Sequence, residues 1–140
     1  MTDPNVSLSE PTNISAKSAR FAAALFNWGN IGAMVAPLPI GLLWVCASMI
    51  IYAMNRHHPN PRVGHYTQQA AYRFYGVTGF FVAVGAFFPG NSHKPYLVAW
   101  AVAAAVIIPW SVLDLVRIRR EAWADTVVSP EPSAQPEPEQ

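Results

Sequence analysis

Charged side chains are scarce in this sequence: Asp, Glu, Lys and Arg together make up 12% of the 140 residues. An average globular domain carries about 25%. Residues 21–54 contain no charged side chain at all, and a water-soluble fold of this size would need a polar face along so long a stretch. The scarcity of charge therefore excludes a soluble globular enzyme and predicts a small, single-domain integral membrane protein.

Cysteine and net charge are low as well. Cys46 is the only cysteine and cannot form an internal disulfide. Because it lies in an apolar run, we expect a small buried hydrophobic residue there rather than a metal ligand or a reactive thiol. The net charge is +1, which gives no general electrostatic attraction for nucleic acid. We expect the partners to be the lipid bilayer and other membrane proteins or further copies of this chain.

Large apolar side chains are sparse at both ends of the chain. Residues 1–18 are rich in Ser, Thr, Asn and Pro, and the sequence closes on a segment rich in Pro and Glu. Such segments bury too little apolar surface to offset the entropy lost on ordering. We therefore predict disordered tails over residues 1–18 and 125–140, and a helical membrane domain over residues 19–124.

The long uncharged stretch is interrupted by Pro37 and Pro39, which remove backbone donors and disfavour helix at the residues before them. An unbroken helix over residues 21–54 would be about 51 Å long, whereas the apolar core of a bilayer is about 30 Å thick. Two further apolar runs follow, the first on a helix that we expect to begin near Val63. The pattern fits either four spans or an interfacial helix followed by three spans.

The distribution of Lys and Arg favours four spans. In that arrangement one side of the membrane carries Lys94 alone and the other carries every other Lys and Arg, which matches the enrichment of these residues in cytoplasmic loops. We therefore predict an all-α integral membrane protein, a compact bundle of four transmembrane or partly inserted helices. Its expected location is the inner (cytoplasmic) membrane, with both termini in the cytoplasm.

The most polar interior segment contains the candidate binding residues. His65, Gln69 and Arg73 are spaced i, i+4, i+8 and share one face of a helix, and two more polar side chains stand beside them. Such a stripe at the edge of a membrane span can bind a partner helix or lipid headgroups. The predicted partner- or headgroup-binding surface consists of His65, Gln68, Gln69, Tyr72 and Arg73.

Small residues continue this surface into the apolar part of the same helix. Gly76, Gly79 and Ala83 are spaced i, i+3, i+7. Small residues on one face let helix backbones approach closely in lipid, where no hydrophobic force drives helices together. We predict that these three residues serve helix packing.

Residues with catalytic or metal-binding chemistry are few. The sequence has no nucleophile–base pair, no phosphate-binding glycine loop and no paired carboxylates for hydrolysis, and Asp114 is expected to pair with Arg117 one turn away. His57, His58 and His65 lie close together, but their spacing matches no standard zinc site. We predict no enzymatic activity, no metal site and no cofactor, with a subunit that binds a cofactor through these histidines as an alternative.

An ordered set of features over residues 20–123 resembles a known family. The residues that carry it are Arg20, Gly29, Gly32, Pro37, Pro61, Val63, His65, Gln68, Gln69, Ala70, Arg117, Arg119, Arg120, Ala122 and Trp123. They are similar to small bacterial membrane proteins related to the twenty-kilodalton component of the chloroplast inner-envelope protein import machinery. The resemblance implies four membrane helices with both ends on one side and a link to protein translocation, in which the chloroplast relative is proposed to form part of a channel.

These observations favour a non-enzymatic membrane interaction or accessory subunit of a larger inner-membrane assembly. A link to protein translocation follows from the resemblance alone. A small oligomeric channel or solute conduit is the first alternative. It would have to be oligomeric, because four short helices enclose little space by themselves. The cofactor-binding membrane subunit is the second.

Overall fold

A computed structural model describes residues 11–87 and 92–129. The described chain is almost entirely helical and packs as a compact bundle, which confirms the predicted fold class. Its elements, in chain order, are β1 (Thr12–Ile14), α1 (Ala16–Val35), α2 (Leu42–Arg56), α3 (Pro61–Phe87), α4 (Lys94–Arg120) and β2 (Thr126–Val128).

Three segments of the described chain are long and apolar enough to cross a membrane. They are Pro37–Arg56, Pro61–Phe87 and Lys94–Arg120. Each leaves most of its apolar side chains uncovered by the rest of the chain, a surface that suits contact with lipid rather than water. α1 is not among these segments, since polar residues such as Asn27 and Asn30 interrupt its apolar sequence.

α1 nevertheless packs against α2, α3 and α4, while its opposite side, with Phe21 (66% exposed) and Trp28 (51% exposed), is left uncovered. Its inward face is built largely from small side chains, and Ala19, Ala23 and Ala33 are buried. Small residues let neighbouring backbones come close, so three other helices can pack against this face of α1. Phe26 fills the remaining space and meets the rings of α2 and α3 edge to face.

Successive helices alternate in direction. Ala19 and Ala23, near the start of α1, cluster with Val63 and Tyr66 near the start of α3 and with Ile118 near the end of α4. This end of the bundle also carries β1 and β2, and we call it the ribbon end. The end of α2 lies here as well, because the side-chain amide of Asn55 donates to the carbonyl oxygen of Ala22 (3.2 Å), so the four described helices alternate in direction.

The segment Pro37–Gly41 connects α1 to α2. Leu38, between the two prolines, has extended dihedral angles (φ −126°, ψ 120°), because proline disfavours helical conformation in the residue before it. The chain thus turns where the prolines were predicted to interrupt the helix. The indole N–H of Trp100 donates to the carbonyl oxygen of Met34 (3.0 Å), which satisfies a carbonyl at the end of α1.

The described secondary structure extends beyond the predicted domain bounds of 19–124, into residues that the sequence assigned to the two tails. Asn13 in β1 pairs with Val127 in β2 in an antiparallel ribbon, and Ser15 caps α1 by accepting from the backbone N–H of Ser18 (3.2 Å). Each segment is too short to order alone, but together they exchange backbone hydrogen bonds across the ribbon end. The rest of the predicted tails, residues 1–10 and 130–140, lies outside the described residues.

Candidate functional site

The predicted binding residues lie on the first four turns of α3. His65, Gln69 and Tyr72 are exposed and Gln68 is half-buried. His65 Nε2 lies 3.1 Å from Gln69 Nε2, one turn along the helix, and the His65 ring meets Tyr66 edge to face. These side chains therefore form a polar surface beside the ribbon end.

Arg73 does not join this surface but turns towards α4. Its Nη2 donates to the carboxylate of Asp114, its Nε donates to the carbonyl oxygen of Gln69 (3.0 Å), and its guanidinium lies 5.9 Å from the ring of Trp110. The side chain of Arg73 is 19% exposed. The sequence placed Arg73 in line with His65 and Gln69, and the structure places Tyr72 there instead.

The predicted packing residues Gly76, Gly79 and Ala83 are all exposed. A Cβ added at Gly76 or Gly79 would meet no described atom within 4 Å. Within the described chain, then, no neighbouring helix uses the close approach that these residues permit. Their role in helix packing therefore remains a prediction, and it would involve a helix outside the described chain.

The exposed polar and small residues form one continuous line along α3. Successive members are separated by four, three, four, three and four residues, and every member is exposed. Alternation of four and three keeps residues on one face of a helix that contacts another helix. We call this line the exposed stripe, which consists of His65, Gln69, Tyr72, Gly76, Gly79 and Ala83.

An open surface cleft of about 490 Å³ adjoins the first turn of the exposed stripe. Tyr66 donates its hydroxyl hydrogen to the carboxylate of Glu121, and Arg62 Nη1 donates to the carbonyl oxygen of Ala122 (2.7 Å). The Arg62 guanidinium lies 6.0 Å from the ring of Trp123. These contacts fasten the segment after α4 to the start of α3. The cleft is lined by Pro61, Arg62, His65, Tyr66 and Glu121.

The three histidines considered for a cofactor do not converge. His58 Nδ1 accepts from the backbone N–H of Asn60 (3.1 Å), His57 directly follows the last residue of α2, and His65 lies on the exposed stripe. Among the residues that the structure describes, no group of three or more His, Cys, Asp or Glu side chains could hold a metal ion.

Three polar contacts inside the bundle were not predicted from the sequence. Asn30 Nδ2 donates to the carbonyl oxygen of Ala70 (3.1 Å), and Asn30 Oδ1 accepts from the indole N–H of Trp44 (2.9 Å). Asp114 is fully buried and receives Arg73 from α3 as well as the expected Arg117, which lies 3.6 Å away. Two asparagines one turn apart in an uncharged stretch were a usable signal of a buried polar face; nothing local in the sequence links Arg73 to Asp114.

No protein-family model matches the chain, and no curated protein or solved structure is significantly similar to it. The resemblance to relatives of the chloroplast import component therefore remains a prediction from the sequence.

Proposed function

We propose that this protein is a non-enzymatic accessory subunit of a larger inner-membrane assembly, and that it binds a helix of another membrane protein through the exposed stripe of α3. The observation that carries the proposal is the stripe itself, which is continuous, exposed and spaced for contact with a second helix. Its polar part lies beside the ribbon end and its small residues lie further along α3.

The glycines of the stripe support the proposal. A glycine inside a helix costs about 0.5–1 kcal/mol relative to alanine. The fold accounts for Gly29 and Gly64, because a Cβ at either position would lie within 3.0 Å of a neighbouring helix. It does not account for Gly76 and Gly79, where an added Cβ meets no described atom within 4 Å. Close approach of a partner helix in the bilayer would give both residues a role.

The polar residues of the exposed stripe would orient the partner helix at such an interface. His65, Gln69 and Tyr72 offer hydrogen-bond donors and acceptors at the edge of α3, where a partner helix leaves the apolar core. Hydrogen bonds between transmembrane helices contribute about 1–2 kcal/mol in model peptides. Polar contacts at one end and close packing along the rest would fix both the register and the orientation of the partner.

The charges of the bundle support an orientation with the ribbon end in the cytoplasm. The starts of α1 and α3 and the ends of α2 and α4 lie at this end and carry most of the basic residues, whereas Lys94 is at the start of α4 at the opposite end. Basic residues next to spans favour the cytoplasmic side. The basic residues at the ribbon end are Lys17, Arg20, Arg56, Arg62, Arg117, Arg119 and Arg120.

The proposal is tested by purifying the tagged full chain from its native membrane in mild detergent. We expect the wild type in a stoichiometric complex with a larger membrane protein, and Gly79→Leu as a folded chain without that partner. Ala105→Leu is the matched control, since it makes the same kind of enlargement on an exposed position of α4 and should leave the complex intact.

Two results would contradict the proposal. One is a wild-type particle that contains copies of this chain alone, which would favour the oligomeric conduit. The other is full recovery of the partner with Gly79→Leu, which would place the interface elsewhere. The identity of the recovered partner tests the suggested link to protein translocation.

A further inference from the structure

Four side chains inside the bundle carry buried polar atoms without a hydrogen-bond partner among the described residues. The atoms are both side-chain polar atoms of Asn27, Oγ1 of Thr67, Nη1 of Arg73 and Oδ1 of Asp114. Asn27, Thr67 and Asp114 are fully buried. We call these four residues the polar layer; they come from α1, α3 and α4.

Asn27 of α1 and Thr67 of α3 lie at one level of the bundle. The two helices run in the same direction and are joined by the hydrogen bond from Asn30 to the carbonyl oxygen of Ala70. Asn27 precedes Asn30 by three residues, and Thr67 precedes Ala70 by three. In parallel helices both therefore lie about 4.5 Å nearer the ribbon end.

Asp114 of α4 joins the polar layer through Arg73. Arg73 turns back along α3, so that its Nε binds the carbonyl oxygen of Gln69 while its Nη2 binds Asp114. The other oxygen of Asp114, Oδ1, lies 3.6 Å from Arg117 Nη1, too far for a hydrogen bond. The Arg117 side chain is 63% exposed, so one side chain separates the buried carboxylate from the surface of the bundle.

The unpartnered atoms differ in chemistry, and this decides which ligand can satisfy them. Arg73 Nη1 and Asn27 Nδ2 only donate, Asn27 Oδ1 and Asp114 Oδ1 only accept, and the Thr67 hydroxyl does both. A cation would satisfy the acceptors alone and an anion the donors alone. Water donates and accepts, and buried water characteristically binds polar groups that the protein itself leaves unpaired.

We propose that the polar layer is a binding site for ordered water inside the membrane domain. Water in the layer hydrates the Arg73–Asp114 pair and bridges it to Asn27 and Thr67, and it exchanges with the surface past Arg117. The site gives the fully buried amide of Asn27 on α1 the hydrogen-bond partners that the described residues do not supply. It does not depend on the exposed stripe or on the proposed function.

The direct test measures magnetisation transfer from water to side chains by solid-state NMR on isotopically labelled wild-type protein in liposomes. Exposed Thr12 and buried Ala103 set the fast and slow limits. We expect the transfer to Thr67 and Asn27 to approach that of Thr12 and to exceed that of Ala103 clearly. Transfer to both residues as slow as that to Ala103 would overturn the proposal.

A second measurement shows whether the hydroxyl of Thr67 stabilises or destabilises the folded protein. Thr67→Val preserves the shape of the side chain and removes its hydroxyl. If water binds Thr67, the variant loses that partner and its unfolding temperature falls. If the layer is dry, the variant removes an unpaired buried hydroxyl and its unfolding temperature rises, which would count against the proposal.

Thr78→Val is the matched control for this measurement. Thr78 lies on the same helix, and its hydroxyl donates to the carbonyl oxygen of Phe74 one turn earlier (2.9 Å). Its unfolding temperature gives the effect of the substitution where the hydroxyl already has a partner in the protein. The shift of Thr67→Val is judged relative to it.

Discussion

Gly29 lies directly under the indole ring of Trp44, and a Cβ at this position would lie 2.0 Å from two of the ring atoms. The ring cannot easily move aside, because its N–H donates to Asn30 and its face meets the edge of Phe26 at a centroid distance of 5.4 Å. We therefore expect Gly29→Ala to lower the free energy of unfolding by about 3 kcal/mol or more, at the upper end of the cost of overpacking.

Thermal unfolding of the purified protein in detergent, followed by tryptophan fluorescence, measures this effect. Gly76→Ala is the control, because it makes the same substitution on another helix where no described atom lies within 4 Å of the new Cβ. It should leave the unfolding temperature unchanged or raise it, since alanine is favoured over glycine in a helix by about 1 kcal/mol. Equal effects of the two substitutions would show that Trp44 does not pack on Gly29 as described.

Between elements, the contact that joins α3 to α4 most specifically is the pair of Arg73 and Asp114. The Asp114 side chain is fully buried and that of Arg73 is 19% exposed, so loss of one partner leaves a buried charge without its counter-ion. We expect Asp114→Asn to lower the free energy of unfolding by about 3 kcal/mol. The double variant Asp114→Asn with Arg73→Met should recover part of this loss, since it removes both charges.

A double-mutant cycle from unfolding in increasing SDS isolates the coupling between the two residues. We expect a coupling of about 1 kcal/mol or more for this contact. Arg117→Gln is the comparison, because Arg117 is 63% exposed and its replacement should change the stability by about 0.5 kcal/mol or less. Additive effects of the Arg73 and Asp114 substitutions would contradict the pairing.

The helices themselves were largely predictable from the sequence, but their faces were not. Pro37 and Pro39 interrupt the helix through local backbone geometry, and the distribution of Lys and Arg favours four spans. Together they predict four helices of alternating direction. Which residue of α3 turns inward depends on α4: Arg73 and Tyr72 are neighbours on the helix, and the carboxylate that selects Arg73 is 41 positions away. No local pattern carries that information.

The packing of α1 against all three other helices was equally hidden. Its polar residues keep it out of the segments that are apolar enough to cross a membrane, yet it packs against α2, α3 and α4. The alanines of its inward face allow close packing, and Asn30 obtains its partners from α2 and α3. Small size and satisfied hydrogen bonds, which depend on the neighbours, outweigh mean hydropathy here.

At the scale of the whole molecule, Cys46 reports whether the exposed apolar surface of the bundle lies in a bilayer. The sequence suggested a buried residue, but the structure leaves Cys46 exposed on α2. Ten residues separate it from Arg56, which places it about 15 Å from the end of the helix. This is close to the middle of an apolar core about 30 Å thick.

Cys46 should therefore be exposed to lipid and shielded from water. In liposomes we expect a water-soluble maleimide to leave it unmodified, because a polar reagent does not readily enter the apolar core of the bilayer, and we expect full modification after unfolding in SDS. In a Cys46→Ala background, Ser92→Cys and Ala124→Cys serve as accessible controls and should react from opposite sides of the membrane, since they lie at opposite ends of the bundle. Rapid modification of native Cys46 would mean that water reaches the middle of α2, which no bundle with α2 against lipid would allow.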